Sequence, residues 1–269
     1  MIIELFGPQG VGKTTFTRAL AAQLQERQQT VDLVLSYRPA ERLRPDTPLR
    51  NLQPDGAAAV VNRLIRPVIE LLAMTRHPLD SSHDVKTTSS LMRALPPKSL
   101  LSSIRLYQYI LRLSRSWHLA SESSHISVFD QAFVQAVSSL ALFCRAADEA
   151  LILDALDLIP KPDVLIRLDA PADILTARVC NRQRLQSVVE RMLEIDPIAT
   201  MEANRIFERL HDMLRTRGEA VIAISTSDPR SLADEASRTA ELVTTKFRSL
   251  HQKHRVFSAS LSSEECQHV

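Results

Sequence analysis

The chain has 269 residues, a formal net charge of +2 and 45% hydrophobic residues, a balance typical of a globular protein with a sizeable core. A net charge so close to zero does not indicate a nucleic-acid partner, and the 4% of aromatic residues leaves little surface for base stacking. No apolar run approaches the roughly 18 residues that a membrane span requires, and no signal peptide precedes the first predicted strand. We therefore expect a cytoplasmic protein without a membrane partner.

A glycine-rich motif stands close to the start of the chain. Three of the five glycines fall in the run Gly7-Pro8-Gln9-Gly10-Val11-Gly12-Lys13-Thr14, which has the spacing of a phosphate-binding P-loop. Its glycines let the backbone form an anion-binding nest, Lys13 adds a cation in a solvated loop, and the Thr14 hydroxyl is suited to ligate Mg²⁺. Residues 2–6 form an apolar strand before the loop, and residues 15–28 form a helix whose N-terminus would point at the phosphates.

A long segment separates the second predicted strand, residues 31–36, from the third. Its predicted elements are a loop rich in Pro and Arg at residues 37–56, a helix at 57–75, a polar loop at 78–90 and a helix at 98–119. This segment is the part of the chain most free to define a substrate pocket. We therefore expect residues 57–124 to form a helical, substrate-facing side.

The third strand ends in an acidic residue, in the run Ile126-Ser127-Val128-Phe129-Asp130. In a P-loop protein, a carboxylate at such a strand end can hold Mg²⁺ or a water bound to it. Asp130 is equally suited to cap the helix predicted at residues 131–145. The pattern by itself leaves both roles open.

The second half of the chain continues the alternation of helices and strands. Its predicted elements are a helix at residues 148–158, a strand at 163–168, a helix opened by Pro171, a helix at 198–216, a strand at 220–225 and a helix at 228–247. Together with residues 2–36, this predicts an α/β P-loop NTPase fold with a five-stranded parallel sheet, helices on both faces and ligands at the carboxyl ends of the strands. Residues 248–269 are polar and Ser-rich, so we expect a poorly ordered tail.

These motifs resemble the thymidylate kinase-like branch of the P-loop nucleoside and nucleotide kinases. The resemblance rests on the P-loop run, on Phe129-Asp130-Gln131 opening a helix, on residues 162–171 leading to Arg178 and Arg182, and on the closing strand at 221–226. It implies an ATP-dependent phosphotransferase with ATP and Mg²⁺ as cofactors. Its partners would be a nucleotide and a small-molecule acceptor, such as a nucleoside, a nucleotide or another hydroxyl compound.

The resemblance also implies roles for individual residues. The residues that would bind the nucleotide are Gly7, Pro8, Gln9, Gly10, Val11, Gly12, Lys13, Thr14, Thr15 and Arg178. Thr14 and Asp130 would hold the metal, and Lys13 and Asp130 would serve catalysis. Arg178 and Arg182 would add catalytic charge from a lid at residues 178–196 that also contains Arg184, within a kinase domain at residues 1–247. A solvated helix face is the alternative for these arginines.

The chain departs from the family pattern on the acceptor side. It has Asp130-Gln131 where thymidylate kinases have Asp-Arg, so a cation that would grip a phosphorylated acceptor is missing and Gln131 stands in the substrate site. Arg38 and Arg42 are candidates to replace that cation, because guanidinium groups bind phosphate bidentately, or they are surface charge. Glu41 is a weaker candidate for a catalytic base. We slightly favour a neutral acceptor.

Three other functions compete with a kinase. A nucleotide-dependent ATPase or switch acting on a protein partner is the main alternative, although the chain lacks the guanine-reading Asn-Lys-x-Asp element. A degenerate kinase that serves as a scaffold is disfavoured by the intact Lys13 and Thr14. Nucleic-acid binding through the Arg-rich residues 38–50 is disfavoured by the scarcity of aromatic residues. The oligomeric state stays open, with a homodimer as one option.

Overall fold

The computed structural model describes residues 1–35, 82–144, 146–184 and 197–265. Its strands are β1 (Ile2–Phe6), β2 (Val31–Val34), β3 (Ile126–Phe129), β4 (Val164–Asp169) and β5 (Val221–Ser225). Its helices are α1 (Lys13–Glu26), α2 (Ser82–Ala94), α3 (Leu100–Glu122), α4 (Phe133–Phe143), α5 (Glu149–Asp157), α6 (Ala172–Arg184), α7 (Pro197–Thr216) and α8 (Pro229–Glu265). The predicted loop at 37–56 and the predicted helix at 57–75 lie outside the described residues.

The strands form one parallel sheet in the order β2-β3-β1-β4-β5. Strand β1 lies at the centre, where Glu4 is in register with Phe129 of β3 and Leu165 of β4. The predicted five-stranded parallel sheet is therefore confirmed. Because β1 runs directly into the glycine-rich loop, the loop lies at the middle of the edge formed by the carboxyl ends of the strands, which is the usual ligand side of such sheets.

Helices cover both faces of the sheet, as predicted. Along β1, Ile2 and Phe6 pack into a core with α2, α3, α4, α5 and α7, while Ile3 and Leu5 pack into a second core with α1 and α8. This division follows from the strand geometry, since successive side chains point to opposite faces. The helices that follow the P-loop and that close the chain therefore share one face, and α2, α3, α4, α5 and α7 share the other.

Local signals set several helix boundaries. Ser99 caps α3 by accepting a hydrogen bond from the Ser102 N–H at 3.1 Å, and Asp148 caps α5 by accepting one from the Leu151 N–H at 2.8 Å. Gly218 follows α7 with a φ of +77°, a backbone conformation that suits glycine at a helix end. Within the described ranges, the structure has no helix that is both long and apolar enough to span a bilayer.

The polar loop predicted at residues 78–90 is wrong over residues 82–90, which belong to α2. The hydroxyl groups there suggested a loop, but helical spacing places Thr88, Leu91 and Leu95 in the interior, all fully buried. The Thr88 hydroxyl donates to the Asp84 carbonyl oxygen at 2.8 Å, so it meets its hydrogen-bonding need inside the helix. A polar composition therefore concealed an amphipathic helix.

Among the predicted helix boundaries that differ from the structure, two have a clear physical reason. Helix α4 begins at Phe133, two residues later than predicted, because residues 130–132 form the turn that leaves β3. Helix α8 does not end at Phe247 but continues through Glu265, into the segment predicted to be a poorly ordered tail. No Gly or Pro follows Pro229 within that helix, so no residue breaks it.

Candidate active site

The P-loop connects β1 to α1 with three glycines in backbone conformations that other residues rarely adopt. Their φ angles are +148° at Gly7, +83° at Gly10 and +97° at Gly12. A Cβ added at Gly7 would lie 2.3 Å from the Leu168 carbonyl oxygen, which no side chain can accept. The predicted nest of backbone N–H groups therefore has the geometry that glycine alone supports, and α1 begins at its end.

Lys13 is the first residue of α1 and is buried, with 8% of its surface exposed. Its ammonium group donates to the carbonyl oxygens of Gly7 at 2.6 Å and Pro8 at 3.0 Å. The expectation that Lys13 lies in a solvated loop is therefore wrong. The lysine side chain lies along the P-loop, where the two carbonyl oxygens replace the water molecules that would otherwise solvate its ammonium group.

Thr14 and Asp130 meet at the loop. The Thr14 hydroxyl donates to a carboxylate oxygen of Asp130 at 2.9 Å, although the two residues are separated by 116 positions. Asp130 is fully buried, and Ala132, not Asp130, occupies the N-cap position of α4. A hydroxyl and a carboxylate side by side fit Mg²⁺, which takes one or two protein oxygens and completes its shell with phosphates and water.

Helix α4 is capped by Glu4 in the centre of the sheet. One carboxyl oxygen of Glu4 accepts hydrogen bonds from the N–H groups of Val134 at 2.6 Å and Gln135 at 3.4 Å. Glu4 is fully buried, and this desolvation raises the pKa of its carboxyl group to about 8, although the backbone donors oppose the rise. At neutral pH the carboxyl group is therefore mostly protonated.

The side chain of Gln135 extends this contact to the P-loop. Its amide oxygen accepts a hydrogen bond from the Gly7 N–H at 3.3 Å. Gln131, the predicted substrate residue, lies in the turn between Asp130 and α4 and is partly exposed. Helix α4 thus contacts the P-loop directly, through a residue that the sequence motifs did not indicate.

Two aromatic residues of α3, Trp117 and Tyr109, pack beside β3 and α4. Trp117 is in the core, with its ring 5.4 Å from Phe129 and 5.2 Å from Phe133, so it does not offer a stacking face. The Tyr109 hydroxyl is buried, and among the described residues it has no hydrogen-bond partner. Burial first, and then the charges of Glu4 and Asp130, raise the pKa of Tyr109 well above its usual value, which keeps the phenol protonated.

Arg178 on α6 lies against the opposite side of the P-loop. Its guanidinium group donates to the Thr226 carbonyl oxygen at 2.9 Å and to the Val11 carbonyl oxygen at 3.4 Å. The Thr226 hydroxyl donates to the same Val11 oxygen at 2.7 Å. Arg178 is thus not on a solvated helix face, since it ties α6 to the P-loop and to the end of β5.

Other predicted site residues differ in how far the structure describes them. Pro8 and Val11 are buried within the loop, Gln9 is partly exposed, and Thr15 is exposed on α1. Arg182 and Arg184 belong to the last turn of α6, but their side chains lie outside the description. Arg38, Glu41, Arg42 and the lid residues 185–196 lie outside the described residues.

Three residues at this site were missed in the sequence. Glu4 interrupts the apolar run of β1, and a charged residue in a central strand was a signal that it has a specific partner. Gln135 carried no signal, because a polar residue in a helix is ordinary. Thr226 followed the last strand, but its bond to Val11 joins residues 215 positions apart.

Comparison with known proteins finds similar solved structures at low sequence identity. No family model and no curated protein matches the chain. Three solved structures of deoxyadenosine kinase from M. mycoides are similar at 13% identity. The match to the structure with bound dCTP covers 93% of this chain and 100% of that chain, with a TM-score of 0.47. The match to the structure with bound dATP covers 92% and 100%, with a TM-score of 0.47. The match to the structure with products dCMP and a flexible dCDP covers 93% and 100%, with a TM-score of 0.45. They do not support the narrower resemblance to thymidylate kinases. On its own sheet order and loop geometry, the chain has the P-loop NTPase fold.

Proposed function

We propose that this protein is an ATP-dependent phosphotransferase that moves the γ-phosphoryl group of ATP to a small-molecule acceptor. The observation that carries the proposal is the hydrogen bond between Thr14 and Asp130 beside the P-loop. It joins the phosphate loop to a buried carboxylate at the end of the neighbouring strand β3. In phosphoryl transfer, a carboxylate there can orient an attacking group or accept its proton.

The phosphate side would hold ATP through the nest between Gly7 and Lys13. Phosphoryl transfer passes through a loose, charge-rich transition state, so positioning and charge supply most of the catalysis. Lys13 would exchange its carbonyl partners for the β- and γ-phosphates. Mg²⁺, held by Thr14 and Asp130, would neutralise charge on the phosphates. Arg178 and Arg182 remain proposed as cations from the lid side.

The acceptor would lie on the α3 and α4 side of Asp130. The described ionisable groups whose charges act on Tyr109 there are Glu4 and Asp130, both acidic. Since Glu4 is mostly protonated at neutral pH, it is the Asp130 carboxylate that would repel an anionic acceptor, whereas a hydroxyl compound needs a proton acceptor and a fitting shape. We therefore propose a neutral acceptor, such as a nucleoside or another alcohol.

This preference has its own test. If the acceptor carries a phosphate, Arg38 and Arg42 must bind it, and replacing both by Ala should raise its half-saturating concentration about tenfold or more, since charged hydrogen bonds contribute about 1.5–3 kcal/mol each. A neutral acceptor should bind the double variant as it binds the wild type. A phosphorylated acceptor held by either arginine would overturn the preference and leave the kinase proposal intact.

The decisive experiment for the activity is ADP release from Mg²⁺ATP by the purified protein. It is run against nucleosides, nucleoside monophosphates, sugars and aminoglycoside-like alcohols, with Lys13→Ala as the inactive control. Acceptor-dependent ADP release with a phosphorylated product supports the kinase. ADP release that needs no acceptor, or that rises only with a protein partner, would instead identify an ATPase or switch.

A further inference from the structure

A buried chain of hydrogen bonds links β1 to the P-loop by way of α4. Glu4 accepts the N–H groups of Val134 and Gln135, and the Gln135 side chain accepts the Gly7 N–H. Glu4 and Gly7 are three residues apart in sequence, yet the connection between them runs through a helix about 130 residues away. The path therefore depends on the tertiary fold.

The same contacts fix the turn that carries Asp130. At its start, Asp130 accepts the Thr14 hydroxyl, and the Asp130 N–H donates to the Val34 carbonyl oxygen at 3.2 Å. At its end, the first turn of α4 is held by Glu4. The three-residue turn is thus held on one side by the P-loop helix and on the other by β1.

A local cap would have been simpler. Ala132 occupies the N-cap position of α4, where Ser, Thr, Asp or Asn would satisfy the same donors from a solvated position. The chain uses a fully buried glutamate instead, whose second carboxyl oxygen has no hydrogen-bond partner among the described residues. Burying a carboxyl group costs free energy that a local cap avoids. Its specific result is to fix α4 to the strand that enters the P-loop.

We infer that Glu4 and Gln135 are positioning residues that set the geometry of the P-loop relative to Asp130. The inference rests on the proposed function in assigning the reaction to these two groups, but the physical link is independent of it. Gln135 orders the entry of the P-loop at Gly7, and Glu4 orders the turn that presents Asp130. Both act through backbone N–H groups and neither touches the reacting atoms.

Amide hydrogen exchange on the ligand-free protein tests the link directly. In Gln135→Leu, the Gly7 N–H loses its acceptor, so we expect exchange in a peptide containing residues 5–10 to accelerate about fivefold, the effect of one net hydrogen bond. Gln135→Glu keeps an acceptor oxygen at the same place and should restore slow exchange. Unchanged exchange in Gln135→Leu would overturn the inference.

Glu4 is tested by a matched pair. Glu4→Gln keeps an oxygen for the Val134 N–H, whereas Glu4→Leu leaves the α4 donors without a partner. We expect faster exchange in residues 130–136 for Glu4→Leu and wild-type exchange for Glu4→Gln. Asp148→Ala is the control, because it removes a helix cap of the same kind from α5, where Asp148 accepts the Leu151 N–H. If Asp148→Ala accelerated exchange at Gly7 as much as the Glu4 and Gln135 variants do, the acceleration would be explained by lower global stability alone.

Kinetics separate positioning from folding. Gln135→Leu should weaken MgADP binding about fivefold, as measured by calorimetry, whereas Asp148→Ala should leave it unchanged. Glu4→Leu should lower kcat about tenfold with little change in the KM for ATP, and Glu4→Gln should recover it. If the wild-type protein shows no acceptor-dependent turnover, the proposed function fails. Hydrogen exchange and MgADP binding would still show whether Glu4 and Gln135 position the P-loop. Equal losses of kcat in Glu4→Leu and Glu4→Gln would contradict the positioning role.

Discussion

The two sides of the site are built in different ways. On the phosphate side, residues 7–14 are contiguous, and the geometry comes from glycine backbone angles and the start of α1. On the acceptor side, Glu4, Tyr109 and Asp130 come from three separate elements and are brought together by burial. The first side is local and backbone-made, and the second is assembled from distant side chains.

This difference has a consequence for substitutions. A backbone-made site tolerates little change at its glycines, because side chains rarely adopt their conformations and, at Gly7, an added Cβ has no room. An assembled site can absorb substitutions that preserve an acceptor oxygen in the right place. We therefore expect the phosphate side to fail on steric changes and the acceptor side to fail on changes of hydrogen bonding or charge.

The largest effect is expected from Gly7→Ala. The new Cβ would lie 2.3 Å from the Leu168 carbonyl oxygen, so β1 or β4 must shift. We expect the free energy of unfolding to fall by about 3 kcal/mol and nucleotide binding to be lost. Urea unfolding measures the first, and calorimetry with MgADP the second.

Gly12→Ala is the matched control for that steric effect. Gly12 also has a positive φ, but nothing lies within 4 Å of an added Cβ. We expect a loss of only about 1 kcal/mol, the cost of the backbone conformation. Equal losses in the two variants would show that the conformation alone matters and that the close approach to β4 does not.

Lys13→Ala should lower phosphotransfer about 100-fold or more, because it removes the cation that we propose binds the transferred phosphate. Since Lys13 is buried on the carbonyl oxygens of Gly7 and Pro8, a modest loss of stability should accompany the loss of activity. Turnover at saturating ATP and the urea midpoint are measured together. Wild-type turnover in a folded variant would remove Lys13 from the catalytic assignment.

Asp130→Asn tests the acceptor side. Asparagine keeps an oxygen for the Thr14 hydroxyl but loses the charge, so we expect kcat to fall about 10- to 100-fold while the KM for ATP changes little. Asp169→Asn is the control, because Asp169 also ends a strand but is half exposed and paired with Arg167. A rise in the KM for ATP with unchanged kcat would make Asp130 a nucleotide-binding residue only.

The smallest effect on turnover near neutral pH is expected from Glu4→Gln, because the folded protein holds Glu4 largely protonated up to a pKa of about 8 and glutamine offers the same neutral acceptor oxygen. In the unfolded chain the carboxyl group ionises near pH 4.5, so between the two values the folded state binds more protons. The Glu4 contribution to the free energy of unfolding should therefore be full below pH 4.5, fall as the pH rises to about 8, and stay constant above it.

Urea unfolding of both proteins from pH 5 to 9 measures this slope. The wild type should lose stability relative to Glu4→Gln between pH 5 and about 8, because glutamine does not titrate. Parallel curves would mean that Glu4 ionises normally in the fold. That result would weaken the contrast between a desolvated acceptor side and a backbone-made phosphate side.

The sequence determined the phosphate-binding loop and the succession of strands and helices along the chain, but not the order of the strands in the sheet. The P-loop spacing, the apolar strand before it and the alternation of helices with strands are local patterns, and local patterns depend on backbone preferences and side-chain periodicity. Asp130 at the end of β3 was found in the same way. The wrong loop prediction over α2 also has a local cause, since the Thr88 hydroxyl donates its hydrogen bond to a carbonyl oxygen of the preceding helical turn.

Only the tertiary structure decided what Asp130, Glu4, Gln135 and Arg178 contact. Their hydrogen bonds join residues separated by 48 to 167 positions, and no spacing rule connects such partners. Burial also determined the protonation of Glu4 and the placement of Lys13, because desolvation depends on everything packed around a group. The sequence thus specified a loop that can bind phosphate, and the packing of α4 against β1 determined which side chains lie beside that loop.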